Sequence, residues 1–454
     1  TVTALNDAAL SGAVLSANTV SAGNDADLTG TIQVVGNTVN AAGTATLVGA
    51  DLINNTVAAG TVVANDASIA NIIGGTYTSA TTADLTASAE IGGVTVQATG
   101  DATLEATTGD IVNTTVEGNI ASLTAGRNLT NVAVDAADAA TLLAGTDVSG
   151  TSVTAGGAVA ITATAGTIQG TTALGGSTMT LTAGTEIDGS DFTAASDITV
   201  AATDLAASSF ISETGAISVG TVANIIDSTI WAKAGAVTIT DVTEELDGST
   251  VSAATALTLD ANWIVGSSLI AENGLLTVTA TTIDGSELLS KLDSIVLDVN
   301  ALNASSLAAA IDIDVTGDSV AASTITASSM TAATGSVTIA DFLTVNALTV
   351  NAGTDATVSS VGTIIGGEYI TAGATTLTAL GEIGGVTVQA TGAAALTSGA
   401  DIVNSTVEGT TACLLYTSDA ADDPLCVDLG GSRILNKKTN DNHTPHRPSQ
   451  TPTV

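Results

Sequence analysis

The sequence predicts an all-β fold: a parallel β-helix solenoid, expected in its right-handed form, with about 21 coils of ~19–20 residues. Three observations point there. A hydrophobic signature recurs at a nearly fixed period. Short stretches of alternating apolar residues precede many of its copies. The composition is 45% hydrophobic but only 2% aromatic. Small and β-branched side chains must therefore fill the core, and the chain is too apolar for a disordered acidic one.

The signature is an apolar residue, any residue, usually Gly, Asn or Ala, a small residue, any residue, and a second apolar one. It reads IDGSDF from Ile187, LDGSTV from Leu246, IVGSSL from Ile264, IDGSEL from Ile283 and LNASSL from Leu302. Its first apolar position falls at Leu10, Val34, Leu52, Ile72 and Ile91, continues through Leu302, and ends with Val320, Leu343, Ile364, Ile383 and Ile402. That makes 21 copies at steps of 18 to 24 residues. The upstream segments include MTLTA at Met179–Ala183, VTIT at Val237–Thr240 and LTVTA at Leu276–Ala280, all with the two-residue period of a strand. Pro is absent before residue 424, so nothing interrupts a ladder of strand hydrogen bonds. Each copy reads as two or three short strands joined by corners, where Gly tolerates positive φ. One coil cannot fold alone; stacking on its neighbours completes it.

The stretch EIGGVTVQATG occurs at Glu90–Gly100 and again at Glu382–Gly392. Around it, IIGG at Ile72–Gly75 returns at Ile364–Gly367, and IVNTTVEG at Ile111–Gly118 returns as IVNSTVEG at Ile402–Gly409. A solenoid accepts whole-coil duplication because every coil meets the same interface, so recombination reads as the origin of the block. An error of sequence assembly is the alternative.

The net charge of −38 excludes nucleic acid as a partner, since phosphate neutralisation needs Lys and Arg. It also disfavours anionic membrane surfaces. The uncharged window Ser149–Thr185 carries Thr, Ser and Gly at strand spacing, unlike a membrane helix, and aromatic girdles of a membrane barrel are missing. The chain begins at Thr1 in mid-pattern, as expected of an internal or processed piece. Residues 1–412 are expected to form the shaft. From Cys413 the pattern stops, and residues 413–454 hold both Cys, both His and all four Pro. CLLYTSDAADD followed by CVDLGG resembles the translation of a transposon-based sequencing-library adapter, with Pro424 and Ser432 departing from it. The tail is therefore expected to be non-native and disordered, and a disulfide or metal site built on Cys413, Cys426, His443 and His446 is set aside.

MTLTAGTEIDGSDFTAASDITV (Met179–Val200) and LTLDANWIVGSSLIAENGLLTV (Leu257–Val278) resemble the repeats of filamentous-haemagglutinin-like bacterial exoproteins, over residues ~1–412. Autotransporter passengers share this grammar. The resemblance implies a right-handed β-helical adhesin shaft at the cell surface or secreted, exported through an outer-membrane transporter. It implies attachment to a host or neighbouring cell, to glycans or to matrix. It carries no catalytic residues.

Four candidate chemistries each stand beside a plainer reading. A β-helical polysaccharide-active enzyme is disfavoured. Residues 1–412 have no His and only Arg127, Lys233 and Lys291 as bases, and with 40 acidic residues paired carboxylates arise by chance. No cofactor is expected, with Ca²⁺ as the one candidate ion. Asp312, Asp314 and Asp318 in IDIDVTGDS have spacing that offers oxygens to it, and Glu244, Glu245 and Asp247 form another cluster. The bland reading is a solvated acidic face. A recognition ladder is the third: Ser or Thr stands four residues after the first apolar position in 15 of 21 copies, including Thr38, Thr56, Thr76, Thr95 and Thr115. Such an outward row suits a glycan or ordered water, and is also ordinary strand chemistry. The rare aromatics come last. Tyr77 and Tyr369 sit at a core position, whereas Trp231 and Trp263, if exposed, suit sugar stacking. The function expected is therefore an adhesive shaft, with a surface-layer or matrix solenoid without a receptor as the alternative.

Overall fold

The computed structural model describes residues 1–318 and 323–416, and the backbone of strands Leu425–Asp428 and Arg433–Leu435. These residues form strands and no helix. The strands stack in parallel as a β-solenoid of about 22 turns, as the periodicity predicts. The chain divides into two units, Thr1–Val315 and Thr316–Val454. Each is solenoidal.

The coil beginning at Ala121 shows the plan. Strand Ala121–Ala125 buries Ala121, Leu123 and Ala125; Leu129–Thr130 buries Leu129; Ala133–Ala136 buries Val134 and Ala136. The alternate residues face outward, as the strand period requires. The next coil repeats these places in register: Leu123 lies against Leu142, Leu129 against Val148 and Val134 against Val153. Like side chains therefore stack on like, and burying each Leu, Ile or Val stabilises the coil by about 1.5–3 kcal/mol. From Ile217 to Asn303 the first two strands of each coil fuse, as in Val237–Asp247 and Leu276–Asp284.

The corner two residues after the second strand's apolar residue turns by a left-handed backbone in every coil. Among the described residues there are 21 such corners, from Ala17 (φ 51°) to Asn404 (φ 49°), sixteen in the first unit and five in the second. Gly fills eleven of them, Asn four, Asp one and Ala five. Gly adopts this conformation without steric cost, and Asn and Asp tolerate it.

The register corrects the sequence reading at three points. Leu10 is not in the row of Val34. Lying earlier than Leu15 in the same continuous strand Ala8–Ser16, it pairs with Leu28, and Leu15 is the partner of Val34. A bulge between Gly12 and Val14 hides this in the sequence. Leu343 is 51% exposed, and the core residue of its coil is Val345, in register with Ile325 and Ile364. Val320 lies outside the described residues. Cys413 is disulfide-bonded, contrary to the sequence reading. Strand Thr411–Tyr416 pairs antiparallel with Leu425–Asp428, and the register sets Cys413 opposite Cys426. Most of the remaining tail, including His443 and His446, lies outside the described residues.

Candidate functional site: an outward hydroxyl ladder

The third strand of each coil builds the candidate face. Its apolar residue points in, and the residue before it points out. In register these outward residues run Thr19, Thr38, Thr56, Thr76, Thr95 and Thr115 through six successive coils. All are exposed or half-buried. The five predicted threonines are thus brought into one column, and Thr19 is the member that the misplaced Leu10 concealed. The column continues through Ser152, Thr172, Ser209, Thr229, Thr250, Ser268 and Ser306. Ala133, Asp191 and Glu287 interrupt it in the first unit, and Glu368 does so in the second. Successive hydroxyls stand about 4.8 Å apart, the spacing of paired strands.

A second ladder, inside the corner, went unread in the sequence. The small residue of the signature is buried, and from Thr171 to Ser305 it forms a chain of hydrogen bonds. The Thr171 N–H donates to Ser190 Oγ at 3.1 Å, Ser190 N–H to Ser208 Oγ at 3.2 Å and Ser208 N–H to Ser228 Oγ at 3.3 Å. Ser228, Ser249, Ser267 and Ser286 continue it at 3.1–3.2 Å. Each serine hydroxyl in turn donates to the carbonyl two residues earlier, as Ser249 does to Asp247 at 3.0 Å. At the start of the chain the same place is held by Asn18, Asn37 and Asn55, whose side chains bond from coil to coil at 3.0 and 3.1 Å. The signal was the Ser of the DGS corners. Its role is to satisfy backbone groups that the corner takes from water.

The acidic candidates Asp312, Asp314 and Asp318 lie at the end of the first unit and the start of the second. Asp314 faces outward between buried Ile313 and Val315, Asp312 is half-buried, and its N–H donates to Ser294 Oγ at 3.2 Å. Both belong to the first unit, while exposed Asp318 belongs to the second. Among the described residues no group of three or more Asp, Glu, His or Cys is placed to hold a metal ion. One row of carboxylates, including Asp110, Asp147, Glu186 and Asp204, stands just before the second strand's apolar residue. Burial, and then Asp188 and Asp204, raise the Glu186 carboxyl above its ordinary range. A hydrogen bond from Arg127 is the largest influence holding Asp110 below it.

The aromatics divide as their positions suggest. Tyr77 and Tyr369 are fully buried, and neither hydroxyl has a hydrogen-bond partner. Burial pushes both phenols up; Asn55 of the preceding coil opposes this at Tyr77 without reaching hydrogen-bond geometry. Both follow a Gly pair. Gly75 (φ 101°) and Gly367 (φ 105°) each lie so close to the preceding coil that a Cβ would meet a backbone oxygen at 2.4 Å. Trp231 is 41% and Trp263 50% exposed. Among the described residues no helix is long and apolar enough to cross a membrane. No family model, curated protein or solved structure matches the chain.

Proposed function

We propose that residues 1–412 are the adhesive shaft of a large secreted or cell-surface bacterial exoprotein, exported through an outer-membrane transporter and acting outside the cell. The observation that supports this best is the hydroxyl column. It offers the same weak contact at most coils, and repeated weak contacts sum into strong attachment when the target is itself repetitive. A polysaccharide or glycan-rich matrix is such a target. The reading is non-enzymatic: the chain's work is to hold a long repetitive face away from the cell.

The test is retention of beads coated with the full chain on glycan-bearing surfaces and cell monolayers. Wild-type beads are expected to be retained. Replacing Thr38, Thr56, Thr76, Thr95 and Thr115 by Lys is expected to reduce retention at least about tenfold, because five contacts are lost together. Retention that is unchanged in this variant would remove the ladder from the reading. No retention of wild type on any surface would leave a structural solenoid without a receptor.

A further inference from the structure

The strands that carry the hydroxyl column in the first unit carry a second outward column two residues on. Between residues 211 and 289 it is apolar except at its centre: Ile211, Trp231, Ser252, Ile270 and Leu289, each the register partner of the next. Trp231 is exposed and the two Ile and Leu289 are half-buried. Two residues farther along, the same five coils carry Glu213, Lys233, Ala254, Glu272 and Lys291. Lys233 bonds Glu213 and Lys291 bonds Glu272, both at 2.6 Å, and Lys233 lies 4.9 Å from the centre of the Trp231 ring. Two of the three basic residues before Cys413 are thus spent on one face of a chain whose net charge is −38.

The order of these charges is the informative part. Read upward it is glutamate, lysine, alanine, glutamate, lysine. Read downward every charged place holds the opposite sign. We infer that this face is an isologous interface with a second copy of the chain, packed antiparallel about a two-fold axis along strand Thr250–Ala253. That operation sets Glu213 against the partner's Lys291 and Lys233 against the partner's Glu272, which closes two rings of four alternating charges. It also sets Ile211 against the partner's Leu289, Trp231 against the partner's Ile270, and Ser252 against itself. In the hydroxyl column, Glu287 meets the partner's Ser209, so no like charges face each other. With the flanking coils of Thr193 and Ala308, the face measures roughly 34 Å by 17 Å at strand spacings, or about 580 Å² per copy, near the ~600 Å² at the lower end of specific interfaces. The rest of the surface is strongly acidic and repels a second copy.

The dimer covers the hydroxyl column only between Ser209 and Glu287 and leaves Thr38 to Thr115 open, so its test, sedimentation equilibrium of the full chain, is separate from that of the attachment reading. A dimer is expected at low salt with a dissociation constant in the micromolar range or below, weakened by added salt. The pair Lys233→Glu and Lys291→Glu is expected to weaken self-association at least about 100-fold, since it turns attraction into like-charge contact. The pair Glu213→Lys and Glu272→Lys is expected to do the same. An equimolar mixture of the two variants should then recover a heterodimer. If either variant loses its β-sheet circular dichroism, Lys233→Gln with Lys291→Gln is read in its place, with weaker association expected. Ser252→Cys is expected to form an oxidised dimer across the axis, whereas Thr182→Cys on another strand row is not. A wild-type monomer at about 100 μM, self-association indifferent to the charge reversals, or a dimer in which Ser252→Cys fails to cross-link would overturn the proposal.

Discussion

Ser249 gives the sharpest test of how the corners hold. Its side chain is buried, and its Oγ accepts the Ser228 N–H of the preceding coil at 3.1 Å. The same hydroxyl lies within donating distance of the Asp247 carbonyl at 3.0 Å and the Ile225 carbonyl at 3.2 Å. Ser249→Ala removes the acceptor and leaves the Ser228 N–H buried without a partner. A stranded buried donor costs about 1–3 kcal/mol. With the middle of that range, about 2 kcal/mol, local opening becomes ~30-fold more frequent. Repeat arrays do not unfold in one step, so a global melt carries the direction of a one-coil change but not its size. Hydrogen exchange at the Thr229 and Thr250 amides avoids this. Their acceptors, Ser208 O and Ser228 O, are unaltered by the substitution, so faster exchange reports opening of the coil. We expect exchange there to rise about 30-fold, with amides ten coils away unchanged, and Ser249→Thr to recover most of the protection. Wild-type exchange rates in the Ala variant would refute the claim that the inner ladder satisfies the corner.

Three further predictions follow from the corners and the carboxylates. Gly75→Ala is expected to prevent folding of its coil, because its Cβ would stand 2.4 Å from Asn55 O, whereas Gly170→Ala meets no atom within 4 Å and is expected to cost only the left-handed backbone term, about 1–2 kcal/mol by hydrogen exchange within its coil. Glu186 has a raised folded pKa, so its contribution is favourable below the unfolded value and is lost as pH rises through the folded one; Glu186→Gln should therefore raise the melting temperature at neutral pH and leave it unchanged below pH ~4. Asp110 runs the other way: its pKa is lowered by Arg127, so its contribution is present above the unfolded value and lost as pH falls through the folded one, and Arg127→Ala should lower the melting temperature at neutral pH but not in acid.

Much of the fold was legible because one coil is a short code repeated many times. The apolar places of the signature, such as Ile187, Leu246, Ile264 and Ile283, are all fully buried. The two copies of EIGGVTVQATG occupy equivalent places, with Gly93 and Gly385 at φ 66° and 67° and Ile91 and Ile383 both buried. The code failed where the backbone departs from the period. Beside Leu10 the register slips, with the two residues from Gly12 to Val14 facing the three from Gly30 to Gln33, and a spacing rule cannot see it. At Leu343 the chain turns at Asp341 (φ 64°), which buries Phe342, leaves Leu343 exposed and passes the row's core place to Val345. The hydroxyl column was legible because outward residues keep strict alternation. The serine ladder was not, because a small residue at a corner looks like a steric requirement until its hydrogen bonds are seen. The charge order of Glu213, Lys233, Glu272 and Lys291 has no period at all, and only the register places the four in one column.

If coils are interchangeable, removing a whole one should be harmless where removing part of one is not. Deleting residues 171–189 joins Gly170 (φ 55°) to Ser190, which takes the place of Thr171 after an equivalent corner, since Gly189 also has φ 55°. The deletion takes out strands Thr172–Gly175, Met179–Ala183 and Glu186–Asp188 and no part of any other. Strand Ser152–Ala155 then meets Asp191–Ala194, with Val153 against Phe192; Val159–Ala163 meets Ile198–Ala201, with Ile161 against Val200. Thr151 N–H gains Ser190 Oγ, the acceptor that Thr171 N–H uses at 3.1 Å. No like charges are brought together, because Thr167 and Gln169 meet Asp204 and Ala206. We expect circular dichroism per residue and the urea midpoint to match wild type. Deleting residues 176–185 instead removes Met179–Ala183 alone, so the two flanking coils lose their shared strand and their register together. That variant should unfold or aggregate. Equal damage from both deletions would mean that stability depends on particular coils, and the duplicated block would then need a cause other than the neutrality of adding turns.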